Sequence, residues 1–248
     1  MHPSAPAAAS AFPAEQPSSL TDAQVIAAHD WKAFSEVATM VNHWDRPGWT
    51  ADRRRLYWFI AADDAPAVHT LAARCQQHLS RPELDLTPPD GLHITLSRAA
   101  VARDSDVEPL AAAARERCAE LDPFTLQVLP LTGSRGAVRF SLAPWTPILG
   151  LSDTLAEAGA AVGAHTSKAA DRLRPHLGIG YCNQEVPAEP LREVIAGLRD
   201  LEPAELAVRS VELVELRREE RRYRWTTLER IRLGGCSRRV LPPPTSLC

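Results

Sequence analysis

The chain has 248 residues, a mass of 27.1 kDa, 45% hydrophobic and 24% charged residues, and a formal net charge of -3 with a pI near 6.2. That length holds one large domain or two small lobes and buries a core without staples, and the charge excludes a broad electrostatic hold on duplex nucleic acid while leaving room for a local basic groove. No stretch nears the roughly 20 apolar residues of a membrane span, and no basic region followed by an apolar run opens the chain, so no secretory signal is read and a cytoplasmic location is expected.

Residues 1–20 are rich in Ala, Pro and Ser without periodicity and are expected to form a disordered leader. Residues 21–50 read as an N-terminal helical extension. Thr21-Asp22 offers a cap, and Val25, Ile26, Phe34, Val37 and Met40 fit one stripe. The helix is expected to end near Asn42–Trp44, before the turn at Arg46-Pro47-Gly48-Trp49.

Residues 51–234 alternate between strand and helix patterns. Leu56–Ala62 is a strand. Pro66 opens a helix with Val68, Leu71, Ala72, Cys75 and Leu79 on one face. Leu92–Arg98 is a strand, and a helix follows through Leu110, Ala114 and Cys118. Phe124–Leu131 and Ala137–Ala143 are strands. Pro147 opens a helix with Ile148, Leu151 and Leu155, Pro175–Cys182 is a strand, and Pro190 opens another helix. Two long strands close the domain near Ala204–Leu216 and Tyr223–Leu233. Residues 235–248 are a second loose tail.

The two halves of this domain resemble copies of one unit. His93 follows the helix-opening Pro66 by 27 residues, and His176 follows Pro147 by 29. Phe124 lies 31 residues after His93, and Leu206 lies 30 after His176. A duplicated unit packs as two lobes about a pseudo-twofold axis, which carries equivalent positions into one shared cleft.

The five cysteines, Cys75, Cys118, Cys182, Cys236 and Cys248, are odd in number and form no C-x-x-C pair. A disulfide framework and a zinc ribbon are thus disfavoured, and Cys75 and Cys118 read as small core residues. The 28 basic residues include two lysines, Lys32 and Lys168, leaving 26 arginines. The run Arg217, Arg218, Arg221, Arg222 and Arg224 surrounds a hairpin turn, either as a solvated turn or as a rim for RNA phosphates.

Of eight histidines, His2, His29, His43, His69, His78 and His165 read as exposed or locally satisfied. His93 and His176 differ, each near the start of a strand at the matched place of the duplicated unit. Strict alternation puts His93, Thr95 and Ser97 on one face, opposite Ile94 and Leu96. It puts His176, Gly178 and Gly180 opposite Leu177, Ile179 and Tyr181. Two facing imidazoles suit proton transfer on a phosphate, because one ring can be neutral while the other is charged. A hydroxyl two residues beyond a histidine can bond a nonbridging oxygen, and a glycine there lets phosphate approach the backbone.

His93-Ile94-Thr95-Leu96 and His176-Leu177-Gly178-Ile179 resemble the paired His-x-Thr/Ser-hydrophobic motifs of the two-histidine phosphoesterases, nearest to the 2′-5′ RNA ligase/cyclic phosphodiesterase proteins. Arg174-Pro175 and the closing Tyr223-Arg224-Trp225 strand are similar to that family too. The resemblance spans roughly Arg55 to Gly234. It implies an α+β fold of two pseudo-symmetric lobes, each an antiparallel sheet with helices outside, around a central cleft. It implies action without metal, ATP or other cofactor on a 2′,3′-cyclic phosphate end of RNA or a nucleotide, or the reverse joining to a 2′-5′ linkage. It assigns the acid to His93, the base to His176 and phosphate binding to Thr95. Gly178 departs from the pattern, since the family has Thr or Ser there, and one hydroxyl is missing. The alternative is a non-catalytic RNA- or nucleotide-binding module with a degenerate second motif. No membrane partner is expected, and the chain is expected to be a monomer.

Overall fold

A computed structural model of the chain describes residues 12–45, 49–50, 53–101, 106–166 and 172–234. Asp22 caps the first helix, α1 (Ala23–Ser35), by accepting from the Gln24 and Val25 amides at 2.9 and 3.0 Å. The proposed run to Asn42–Trp44 does not form. The helix stops at Ser35, and Thr39–Met40 instead makes a short strand, β1. After β2 (Arg55–Ala61) comes α2 (Pro66–Gln77), whose first-turn proline needs no N–H partner there. Its Val68, Leu71, Ala72 and Cys75 are buried, as their spacing predicts.

The chain continues through β3 (Leu84–Leu86), β4 (His93–Ala100), α3 (Val107–Cys118), β5 (Phe124–Ser134), β6 (Ala137–Ala143) and α4 (Thr146–Ala161). It ends through β7 (His165–Thr166), β8 (His176–Cys182), β9 (Val186–Pro187), α5 (Glu189–Ala196), β10 (Ala204–Val208), β11 (Ser210–Glu219) and β12 (Arg222–Arg232). Cys75 and Cys118 are core thiols, and burial pushes each up to about 11.

Two five-stranded antiparallel sheets result. One has the order β12-β11-β2-β4-β7, the other β10-β5-β6-β8-β3. Read side by side, β2 and β6 are equivalent, as are β4 and β8, β11 and β5, β12 and β10, and β7 and β3. The two lobes are present, but neither is built from one half of the sequence. The first half sends β3 and β5 into the second sheet, and the second half sends β7, β11 and β12 into the first.

This corrects one of the two matched intervals. Leu206 is not the counterpart of the Phe124 strand. It lies beside that strand, in register with Leu126. The single strand expected over Ala204–Leu216 is two strands, because the chain leaves one sheet and enters the other at Arg209. Ala204, Leu206 and Val208 point inward in one parity, while Val211 and Leu213 continue in the other.

α1 lies against β5 and β6. Its inner face carries Ile26, Asp30 and Phe34, all buried. The Asp30 carboxylate accepts from Arg139 Nη1 at 2.9 Å and Ser141 Oγ at 2.6 Å, both on β6. Burial alone would raise this carboxyl, but the Arg139 charge and these hydrogen bonds outweigh it and hold the group far below the carboxylate range. A Cβ on Gly133 of β5 would clash with Cε2, Cζ and Cδ2 of the buried Phe34 ring, so glycine lets the helix seat there.

Two stability outcomes follow from this seating. Asp30→Ala leaves Arg139 charged and buried, and should cost about 3–5 kcal/mol in urea unfolding. Replacing both partners by apolar side chains, as in Asp30→Leu/Arg139→Met, should recover most of that loss. Gly133→Ala should cost about 1–3 kcal/mol by overpacking against Phe34.

Candidate active site

β2 and β4 pair as Ala61 with His93, Ile60 with Ile94 and Phe59 with Thr95. The register then slips, and Trp58 pairs with Ser97 and Tyr57 with Arg98. β6 and β8 repeat this: Ser141 with His176, Phe140 with Leu177, Arg139 with Gly178, a slip, then Val138 with Gly180 and Ala137 with Tyr181. The same one-residue bulge thus follows each motif.

A bulge of one residue reverses side-chain parity beyond it. Strict alternation is therefore wrong after position +2 of each motif. Ser97 shares a face with the core residue Trp58, and Gly180 with the core residue Val138. Arg98 and Tyr181, each five residues past its histidine, join the face of His93 and His176, while Ser97 still borders the same cleft from the Trp58 side.

His93, Thr95, His176 and Gly178 all line one cleft of about 660 Å³. Strands β4 and β8 approach within 8 Å of one another, Cα to Cα. His93 Nδ1 donates to the Gly91 carbonyl at 2.8 Å, and His176 Nδ1 donates to the Arg174 carbonyl at 2.7 Å. A carbonyl only accepts, so both rings carry a proton on Nδ1.

Phe59 stacks on His93 at 4.2 Å between centroids and 24° between planes. Arg139 occupies the equivalent place in the second lobe and turns to Asp30 instead. There the ring against His176 is Phe12, at 4.7 Å. Residues 12–20, expected as part of a disordered leader, are thus packed. Arg174 donates from Nε to the Pro13 carbonyl at 3.2 Å and from Nη2 to the Ala14 carbonyl at 2.6 Å. The segment uses carbonyls and one aromatic ring rather than a ladder or a helix, so it carries no periodicity. Residues 1–11, with His2, and the proposed tail 235–248, with Cys236 and Cys248, lie outside the described residues.

The described residues lining the cleft include Arg98, Arg172, Arg174 and Arg218 and no carboxylate. A chain of net charge -3 thus keeps a cationic groove. Of the arginine run, Arg218 alone among the described lining residues reaches that groove. It donates to Tyr223 Oη at 2.9 Å and lies 4.4 Å over the Trp49 ring. Arg217, Arg221 and Arg224 pair with Glu219, Asp85 and Asp90 around the β11–β12 turn.

His43, read as exposed or locally satisfied, is buried in the cleft wall. Its Nε2 shares a hydrogen bond of 2.7 Å with Tyr223 Oη, and its ring lies 4.2 Å from Tyr181. It sits after β1 in a loop without periodicity, held by its amide donating to the Cys182 carbonyl at 2.7 Å. The sequence held no signal for it. His69 behaves as expected, bonding the Ala62 carbonyl at 2.7 Å.

Burial pushes His93 down to about 4, with the Gly91 hydrogen bond opposing part of that shift. The unfolded ring takes its proton near 6.5. Between those values the unfolded state binds more protons, so stability should fall as pH drops from about 6.5 toward 4. Urea midpoints against pH should show this slope, and His93→Gln should flatten it.

The profile of the 2′-5′ RNA ligase superfamily matches residues 62–220. Among solved structures, one from Thermus thermophilus superposes with a TM-score of 0.56 at 15% identity, covering 73% of this chain and 98% of that one. E. coli LigT complexed with 3′-AMP gives 0.53 at 19%, covering 73% and 97%. A structure described as a phosphoesterase gives 0.52 at 19%, covering 73% and 99%. No curated protein matches. No helix of the described residues is long and apolar enough to cross a membrane. These structures share the α+β fold, and with the family matched over more than half of the chain, from the end of β2 through β11, the chain belongs to the 2′-5′ RNA ligase superfamily.

Proposed function

We propose that the chain hydrolyses 2′,3′-cyclic phosphate ends of RNA or nucleotides, or runs the reverse joining to a 2′-5′ linkage, with His93 and His176 as the acid–base pair. One observation carries this reading. Two imidazoles at equivalent register positions, both oriented through Nδ1 by a carbonyl two residues upstream, line one cleft whose other charged lining residues are arginines. A cyclic phosphodiester is an anion whose cleavage needs one proton removed and one delivered.

In the hydrolytic direction a water attacks phosphorus and passes its proton to His176 Nε2. The bond from phosphorus to one ribose oxygen breaks, and that oxygen takes a proton from His93 Nε2. Thr95 donates its hydroxyl hydrogen to a nonbridging oxygen. His93 is neutral in the empty cleft. An arriving anion favours the charged ring, so His93 gains its proton with the substrate. Phe59, stacked on it, holds the ring in place. With an RNA 5′-hydroxyl in place of water, the same groups form the 2′-5′ linkage: the hydroxyl passes its proton to His176 Nε2 as it attacks phosphorus, and the bond to the 3′ oxygen breaks as that oxygen takes a proton from His93 Nε2.

The test is a panel of 2′,3′-cyclic nucleotides and short cyclic-phosphate RNAs incubated with the chain in EDTA, with 2′- and 3′-phosphate products resolved. Turnover should survive EDTA, and its rate should be bell-shaped in pH. His93→Ala and His176→Ala should each lower kcat by about two to four orders of magnitude. Activity that survives in the double variant, or that needs added divalent metal, contradicts the mechanism.

A further inference from the structure

The two lobes present the same three register positions to the cleft, but with different chemistry. The first lobe offers His93, Thr95 and Arg98. The second offers His176, Gly178 and Tyr181. Counted along strand β8, the second lobe lacks the hydroxyl two residues past its histidine. Counted in space, it does not. A Cβ built on Gly178 would lie 2.7 Å from Tyr181 Oη and 3.1 Å from Tyr181 Cζ. The phenol oxygen therefore occupies the volume into which a serine or threonine at position 178 would project.

The bulge makes this possible. Without it Tyr181 would face the core, as strict alternation predicts. With it the ring returns to the cleft face three residues past Gly178 and lies back over that glycine. The ring is held by its neighbours: His43 at 4.2 Å, Trp44 at 5.3 Å and Tyr223 at 5.3 Å between centroids. A hydroxyl on a ring so packed loses little freedom when it binds.

We propose that Tyr181 is a substrate-binding residue whose phenolic O–H donates to a nonbridging phosphate oxygen in place of the side-chain hydroxyl that Gly178 lacks, a role that rests on the cyclic-phosphate reading of the cleft. Gly178 is then a required partner. Its missing side chain is the space that the phenol fills. Each lobe then offers one hydroxyl at its motif, from Thr95 in the first and Tyr181 in the second, and the second half is rebuilt rather than degenerate.

The experiment uses the full chain, with inorganic phosphate as the binding probe and a 2′,3′-cyclic nucleotide as the substrate. Tyr181→Phe removes only the oxygen and should weaken phosphate binding and lower kcat/KM by on the order of 10- to 100-fold, as Thr95→Val should. A urea midpoint read in parallel separates this loss from unfolding. Gly178→Ser should also lose activity, because the new Cβ displaces the phenol. Gly178→Ser in a Tyr181→Ala background should regain at least tenfold over Tyr181→Ala alone, since the serine then occupies the vacated place.

Parental phosphate affinity and kcat/KM in Tyr181→Phe, in a chain that His93→Ala inactivates, overturn the proposal and leave the cyclic-phosphate reading standing. A serine at 178 that is fully active with Tyr181 intact overturns it as well, because the two groups cannot share that volume. A parent chain that binds phosphate through Tyr181 but hydrolyses no cyclic nucleotide supports the contact and removes the catalytic reading. A parent chain that does not bind phosphate overturns both.

Discussion

Two bulges of one residue, at the same register in β2–β4 and β6–β8, are the constraint on which the cleft depends. An unbroken ladder would keep every second residue of β4 and β8 on one side. The bulge keeps each histidine and the residue two beyond it on the cleft face, then shifts parity. Residues five beyond the histidines are thereby brought to the cleft, and Ser97 and Gly180 are given to the core side. The site is thus a property of paired strands, not of either motif alone.

The second constraint is that the lobes are interleaved. Each sheet takes strands from both halves of the chain, and one contiguous core runs through both. Residues such as Ile94 and Leu96 from β4 and Leu177 and Ile179 from β8 belong to that same core. The two histidine strands are therefore held by common packing, and their separation does not depend on a linker between independent domains. A cleft formed in this way is preorganised, because the strands that carry both histidines share one packed core.

Pseudo-symmetry is broken on the second lobe, and the N-terminal segment accounts for the difference. Where the first lobe places Phe59 under its histidine, the second places Arg139, which is drawn away to Asp30 of α1. The aromatic support for His176 comes from Phe12, before that helix. α1 and the stretch ahead of it are therefore part of the architecture of the cleft. The buried ion pair that seats the helix is held by two hydrogen bonds to one carboxylate oxygen, with Arg139 and Ser141 on the strand that pairs with β8.

The sequence by itself determined the helices and most of the longer strands, since their periodicities, helix-opening prolines and the cap at Asp22 are local properties. It also singled out His93, Thr95, His176 and Gly178, because two short motifs at matched spacings stand out along the chain. What it did not carry was anything set by pairing between distant strands. The bulges that bring Arg98 and Tyr181 into the cleft arise only when β4 meets β2 and β8 meets β6. The exchange of β5 and β11 between sheets is invisible to spacing, although the broken parity between Val208 and Val211 marks where it happens. His43 and Phe12 reach the cleft from segments without periodicity, through hydrogen bonds and ring contacts made across the fold. Local patterning is written into neighbouring residues, whereas parity across a bulge and the packing of irregular segments are settled by partners far away in the chain. Tertiary structure alone could therefore decide which side chains face the cleft that His93 and His176 line.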